Sequence, residues 1–208
     1  MDIVSLIGTS MGSAWLSGLN LYATVAVLGL LGRFGAINLP GELNVLSNKW
    51  VLGVAIGMYL VEFFADKIPY LDSIWDVLHT FIRIPAGAIL ASLSFGNYSK
   101  EVQVIALMAG GAMAFTSHSS KAATRAAINI SPEPVTNWTA SFLEDAVAIG
   151  GTFLAVYAPF IMVIVLVVFV LIFLLVFPKI VRGLKRVFAK IRNKFKPKEE
   201  TKTFAATG

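Results

Sequence analysis

Residues 146–178 run for 33 positions without a charged side chain, and that run decides the class of fold. About 20 apolar residues cross a bilayer as a helix. In hydrocarbon every backbone amide and carbonyl must find its partner within the protein, which an open strand cannot do and a helix does alone. The rest of the chain agrees: 57% of its 208 residues are hydrophobic, and the mean hydropathy is +0.77. The expectation is an all-α, polytopic membrane protein.

Punctuation divides it into about six transmembrane or re-entrant helices. The first, about 7–35, carries a polar stripe of Ser17, Asn20 and Thr24, spaced three and four apart and therefore on one helical face. Pro40-Gly41 marks a turn. The second segment spans 50–67 and stops before Pro69, and the third spans 71–95. The fourth, 102–130, ends at Ser-Pro-Glu-Pro, 131–134, and is followed by 135–158. Pro159 separates the last from 160–178, which is apolar on all sides and suited to face lipid. Pro85 and Gly87 in the third segment, and Gly150-Gly151 in the fifth, are expected to interrupt their helices. Gly53 and Gly57 form a GxxxG, a signal of close helix packing. The tryptophans at 15, 50, 75 and 138 suit interfacial anchoring.

Charge is unevenly shared. Residues 1–178 hold 7 Lys/Arg against 10 Asp/Glu, while residues 179–208 hold 10 against 2. The basic excess is a property of the tail, so the chain divides into an integral membrane domain (1–178) and a basic cytoplasmic tail (179–208). In that tail Ile180, Leu184, Val187, Phe188, Ile191 and Phe195 fall on one helical face and the Lys/Arg residues on the other. This amphipathic C-terminal helix is expected to lie on anionic lipid headgroups, and its apolar face argues against nucleic acid. Asp2 and the absence of a basic start do not resemble a cleaved signal peptide. With no cysteine, thiolate metal sites and disulfides are excluded.

The membrane domain nevertheless contains charges. The third segment places Asp72, Asp76, His79 and Arg83 on one stripe, and Arg83 lies about 18 Å along that helix, near the bilayer centre. The fourth places His118, Lys121 and Arg125 at i, i+3 and i+7, and the fifth adds Asn137, Ser141, Glu144 and Asp145. Glu62, Asp66 and Lys67 close the second segment. A charge at the bilayer centre costs at least about 3 kcal/mol, so such clusters need partners, water or a task. One reading is a set of ion pairs that fixes helix register. The sharper one is a solute path, in which Arg83, Lys121 and Arg125 bind an anionic group and Glu62, Glu144 or a histidine exchanges protons. A metal site at His79 or His118 lacks supporting spacing. Neighbouring helix positions point apart, so Ser117, Ser119 and Ser120 cannot pair with His118 as a nucleophile. No phosphate-binding or dinucleotide motif occurs, and neither an enzyme nor a cofactor is expected.

The chain also echoes itself. Ala55-Ile56-Gly57 and Phe64-Ala65 return as Ala148-Ile149-Gly150 and Tyr157-Ala158 at an offset of 93, and Ala36-Ile37-Asn38-Leu39-Pro40 returns as Ala127-Ile128-Asn129-Ile130-Ser131-Pro132. Three spans per half would invert the second copy, giving a 3+3 inverted repeat over about 8–95 and 102–178, as in many secondary transporters. The positive-inside rule then puts both termini in the cytoplasm.

Three stretches, Gly18-Leu19-Asn20-Leu21-Tyr22, 61–83 (VEFFADKIPYLDSIWDVLHTFIR) and 117–145 (SHSSKAATRAAINISPEPVTN through SFLED), resemble a family of small bacterial membrane proteins known as domain of unknown function four-one-two-six. The likeness covers nearly everything before the tail. It implies a helical fold with a polar site drawn from Glu62, Asp66, Lys67, Asp72, Trp75, Asp76, Arg83, Lys121, Arg125, Asn137, Ser141, Glu144 and Asp145, and it implies no activity. Asn20-Leu21 departs from the Arg-Pro that relatives often carry. Two expectations stand. One is an inner-membrane transporter of a small or lipid-linked anionic solute, with proton coupling and a homo-oligomer left open. The other is a membrane scaffold or assembly factor with structural ion pairs and a lipid-binding tail.

Overall fold

The computed structural model describes residues 2–68, 70–130 and 133–194. Among these residues there are six α-helices, one short 3-10 turn and no strand: α1 (Ile3–Arg33), the 3-10 turn (Leu43–Ser47), α2 (Lys49–Ala65), α3 (Leu71–Ser94), α4 (Lys100–Ile128), α5 (Pro134–Tyr157) and α6 (Pro159–Lys194). The expected segments and the observed helices agree to within a few residues, except at the last. Four of them, α1, α3, α5 and α6, are long and apolar enough to cross a membrane, the composition of a multi-pass membrane protein.

The molecule is polar inside and apolar outside. Asp72, Asp76, His79 and Arg83 of α3 are buried, while Ile74, Val77, Leu78 and Phe81 on its other side are exposed, Phe81 to 80%. In water this would be upside down. In lipid it is the stable arrangement, because hydrocarbon solvates Phe81 and cannot solvate Arg83.

Helix α1 is central and packs on all five others. It can do so because its facing positions are small. A Cβ on Gly18 would meet Ser117 Oγ and the Ala114 carbonyl, and one on Gly87 would meet Ala114 Cβ at 2.5 Å and Ser17 Oγ at 2.8 Å. Close approach brings hydroxyls to carbonyls across helices: Thr9 Oγ1 donates to Ala155 O at 2.9 Å and Ser117 Oγ to Trp15 O at 2.6 Å. Such bonds hold helices together where lipid removes the hydrophobic drive between them. Leucines 21, 28, 39, 43, 46 and 90 form an apolar cluster near one end.

Several local expectations are corrected. Helix α3 runs on through Pro85, and α5 through Gly150-Gly151. The interruption lies in α1 instead, at Asn20 (φ −146°, ψ 99°). There the Asn20 side-chain oxygen accepts from Ala23 N at 2.9 Å, and Thr24 Oγ1 donates to Asn20 O at 2.9 Å. Asn20 thus caps the second half of α1 from within the span, as asparagine does at helix starts. Gly53 and Gly57 face outward, and a methyl group added at either would find no atom within 4 Å; they pack against no other helix of this chain among the described residues. Trp15 is buried edge-on against Phe169, ring centroids 4.8 Å apart, so it is core and not an anchor; Trp50 and Trp138 are exposed. Finally, α6 continues through Pro178 to Lys194, past the end expected for the last segment at 178. The side chains of the expected apolar face at Leu184, Val187, Phe188 and Ile191, together with Phe195, the stop at Pro69 and the Ser131-Pro132 end of the fourth segment, lie outside what the structure describes.

Candidate functional site: a buried charge network

The stripes of α3 and α4 face each other, α2 delivers its C-terminal end, and α5 closes the far side. At the centre, Arg83 is fully buried. Its Nη2 donates to Glu62 Oε1 at 2.8 Å and its Nη1 to Asp76 Oδ1 at 3.0 Å. One helical turn along α4 from His118, Lys121 Nζ sits among four carboxylates: Asp66 Oδ2 at 2.9 Å, Glu144 Oε2 at 3.3 Å, Asp76 Oδ1 at 3.5 Å and Glu62 Oε1 at 3.9 Å. It also donates to Leu19 O at 3.3 Å, beside the break in α1.

A turn further, Arg125 grips Glu144 with two parallel bonds, Nε to Oε1 at 3.1 Å and Nη2 to Oε2 at 2.7 Å. This planar fork is what distinguishes Arg from Lys at such a place. Its Nη1 donates to Asn137 Oδ1 at 2.6 Å and lies 3.6 Å from Asp72 Oδ2. Asp72 is held in turn by Asn129 Nδ2 at 3.0 Å. Asn137 fastens the end of α2 by donating from Nδ2 to Asp66 O at 3.2 Å.

Around this core stand groups engaged otherwise. His79 faces Trp75 O through Nδ1 at 2.9 Å and Tyr22 OH through Nε2 at 3.1 Å. A carbonyl only accepts, so Nδ1 carries a proton toward Trp75 O. Thr80 Oγ1 donates to Asp76 O, leaving its oxygen to accept from His118 Nε2 at 2.7 Å. Lys67 touches no carboxylate within salt-bridge distance among the described residues. It donates to Phe63 O at 3.0 Å and Ser141 Oγ at 3.3 Å, and lies over the rings of Phe63 and Phe142. Asp145 likewise has no cation within that distance among the described residues; its Oδ1 accepts from Asn20 Nδ2 at 3.0 Å.

Every candidate residue therefore enters one contiguous patch, but in three roles. Glu62, Asp66, Asp76, Arg83, Lys121, Arg125 and Glu144 share the ion-pair core, steadied by Asn137. His79 and His118 sit at its margin, hydrogen-bonded to hydroxyls and a backbone carbonyl. Lys67, Ser141 and Asp145 form a flank toward α1. Asn20, Asn129, Thr80 and Tyr22 also belong to the patch; Asn20 stood out in the sequence as an asparagine inside an apolar span, and the other three lay in the stretches that resemble the family without being singled out for the site. Six carboxylates (Glu62, Asp66, Asp72, Asp76, Glu144, Asp145) face four cations (Lys67, Arg83, Lys121, Arg125), an acidic excess of two. Glu62 Oε2, Asp66 Oδ1, Asp76 Oδ2 and Asp145 Oδ2 are buried without a hydrogen-bond partner among the described residues. A cavity of about 150 Å³ between α3 and α4 reaches Asp76, Thr80 and Arg125.

The sequence model of a family described as domain of unknown function (DUF4126) matches residues 7–179, which include the whole network. No curated protein and no solved structure matches the chain.

Proposed function

The chain belongs to the DUF4126 family, and on that footing we propose that it is a membrane transporter of a small or lipid-linked anionic solute, coupled to protons, working through the buried charge network. The observation that carries this reading is the acidic excess. A purely structural set of ion pairs is cheapest when charges cancel, because any surplus charge in low dielectric goes uncompensated. Here two surplus carboxylates sit inside a bundle of membrane-length helices. Surplus carboxylates are what a group of proton carriers requires, and ionisable residues within a membrane mark such pathways.

In this reading the arrangement corresponds to a state without solute. Arg83, Lys121 and Arg125 are each neutralised by the protein's own acids, so an incoming anion must replace one of them. Glu144 is the natural one to yield. It is the least buried carboxylate of the core, with 14% of its side chain exposed, and it holds Arg125 in the fork that a phosphate or carboxylate would occupy equally well. Protons on the surplus acids would then release the cations to the solute. The broken α1 beside Lys121 and the cavity at Arg125 supply the non-helical backbone and the space that transport sites use. An inverted 3+3 repeat, a bacterial inner-membrane location, cytoplasmic termini and a tail bound to anionic headgroups complete the proposal.

The alternative, a scaffold with structural charges, is favoured by one observation: each core cation already has a carboxylate at 3.0 Å or less. Proteoliposomes separate the two. Full-length protein is reconstituted with an internal pH-sensitive dye and offered a panel of small anions and anionic lipid analogues. Transport predicts solute-dependent proton movement that Glu144→Gln abolishes in protein that still folds. Folded protein that moves neither protons nor any solute leaves the scaffold.

A further inference from the structure

The two flanking charges, Lys67 and Asp145, stand apart from the network that pairs every other carboxylate. Asp145 is 6% exposed, and its Oδ2 has no hydrogen-bond partner among the described residues. Its Oδ1 takes the amide of Asn20, at the non-helical break within α1. Lys67 would be its obvious counter-ion, yet it bonds to Ser141 Oγ, one turn before Asp145 on α5, and rests on Phe63 and Phe142. A lysine that bonds to a hydroxyl and two rings with a carboxyl group one turn away is the arrangement that a neutral carboxyl allows.

We propose that Asp145 is a proton-binding site, holding a proton on Oδ2 in the state seen, and that its release is transmitted to the break in α1 at Asn20. The assignment of the site rests on geometry alone; only its use as the coupling proton rests on the transporter reading. A carboxyl with Oδ1 as its carbonyl and Oδ2 as its hydroxyl matches the observed hydrogen bond, since Asn20 Nδ2 donates to Oδ1. A metal ion fits poorly, because the described residues hold no group of three or more His, Asp or Glu arranged to bind one, and the nearby oxygen of Asn20 is committed to Ala23 N. A proton needs one lone pair.

The surroundings define what release does. The charged and titratable groups that act on Asp145 are Lys67 and Asp66 at the end of α2, Lys121 of α4 and Tyr59 of α2; α1 contributes the neutral Asn20. Loss of the proton leaves a carboxylate that attracts Lys67 away from Ser141 and competes for the Asn20 side chain. Asn20 caps the second half of α1 and precedes Tyr22, which binds His79. The protonation state of one carboxyl therefore bears on both the α1 break and the turn that carries Asp66 and Lys67 into the core.

The test is infrared spectroscopy of the full chain in nanodiscs, with aspartate labelled by 13C at the side-chain carboxyl. The expected result is one protonated aspartate carbonyl band at neutral pH that shifts in D2O and disappears as pH rises. Asp145→Asn removes it, Asp2→Asn leaves it, and Asn20→Ala, which deletes the donor to Oδ1, moves it to higher frequency without removing it. Should Asp145→Asn fail to fold, the Asn20→Ala shift and the wild-type titration still decide. Absence of the band in wild type, its survival in Asp145→Asn, or its indifference to Asn20→Ala overturns the proposal. The band together with absent solute flux retains the site and defeats only the transporter reading.

Discussion

Replacing Arg83 by Met tests whether the network is dry. Met fills a similar volume, so the change removes charge more than packing. In the native fold the guanidinium is fully buried and bonds Glu62 at 2.8 Å and Asp76 at 3.0 Å. Deleting one member of a buried pair costs about 3–5 kcal/mol, because its partner remains in low dielectric. Two partners are stranded here, but Lys121 Nζ already lies 3.9 Å from Glu62 Oε1 and 3.5 Å from Asp76 Oδ1 and can draw in. The loss should fall near the lower end, about 3 kcal/mol. At about 2–4 °C per kcal/mol for a chain of this size, the melting temperature drops by about 6–12 °C. Adding Glu62→Gln to Arg83→Met should recover about half, since one stranded charge is gone. Unfolding by SDS titration in mixed micelles reads the free energies. If Arg83→Met lies within about 1 kcal/mol of wild type, the value for a solvated pair, then water fills the cluster and the argument from charge excess collapses.

Gly18→Ala should destabilise by about 1–3 kcal/mol, because its methyl would press on the Ala114 carbonyl and Ser117. Gly57→Ala, open on all sides, should be neutral or stabilising by up to about 1 kcal/mol; the same micelle titration compares them, and equal costs would refute the packing of α1 on α4. Asp2 caps α1, and the Ser5 hydroxyl and amide hold its carboxyl below the ordinary aspartate value. A lowered native value means the cap contributes above the ordinary aspartate range and is lost as pH falls through the lowered one. Protection of the Ser5 amide, the slowing of its exchange relative to the intrinsic rate at the same pH, should fall at acid pH in wild type and be low at all pH values in Asp2→Ala. Wild-type protein should bind anionic vesicles through residues 179–208 with an affinity that falls steeply with salt; salt-independent sedimentation would remove the tail's role.

Much of this was legible from periodicity. Asp72, Asp76, His79 and Arg83 had to share a face, and so did His118, Lys121 and Arg125; lipid outside then left only the interior for both. The helix limits followed from Pro and Gly for the same reason that those residues end helices. The failures were of a different kind. Pro85 reads as a breaker, but a membrane helix passes through proline when neighbours supply the missing stabilisation. Asn20 reads as one more polar residue on a stripe, and only its reach to Ala23 N and Asp145 turns it into a break. Sequence spacing could gather charges onto helices but could not say which acid meets which base. Glu144 and Asp145 are adjacent in the chain, yet one is clamped by Arg125 and the other lacks any cation within salt-bridge distance among the described residues. That division depends on the rotation of α5 against α1 and α4, which no local pattern encodes.

The most direct test of transport through the network is whether it ever opens to water. The chain has no cysteine, so single cysteines at Thr80 and Ala126, which line the cavity beside Asp76 and Arg125, report without background. Proteoliposomes carrying each variant are exposed to a membrane-impermeant thiol reagent from one side and then the other, with and without an imposed pH gradient. Transport through the network predicts modification whose side or rate changes with the gradient. Folded protein that resists the reagent from both sides under every condition would show a permanently dry ion-pair core and contradict the transporter reading.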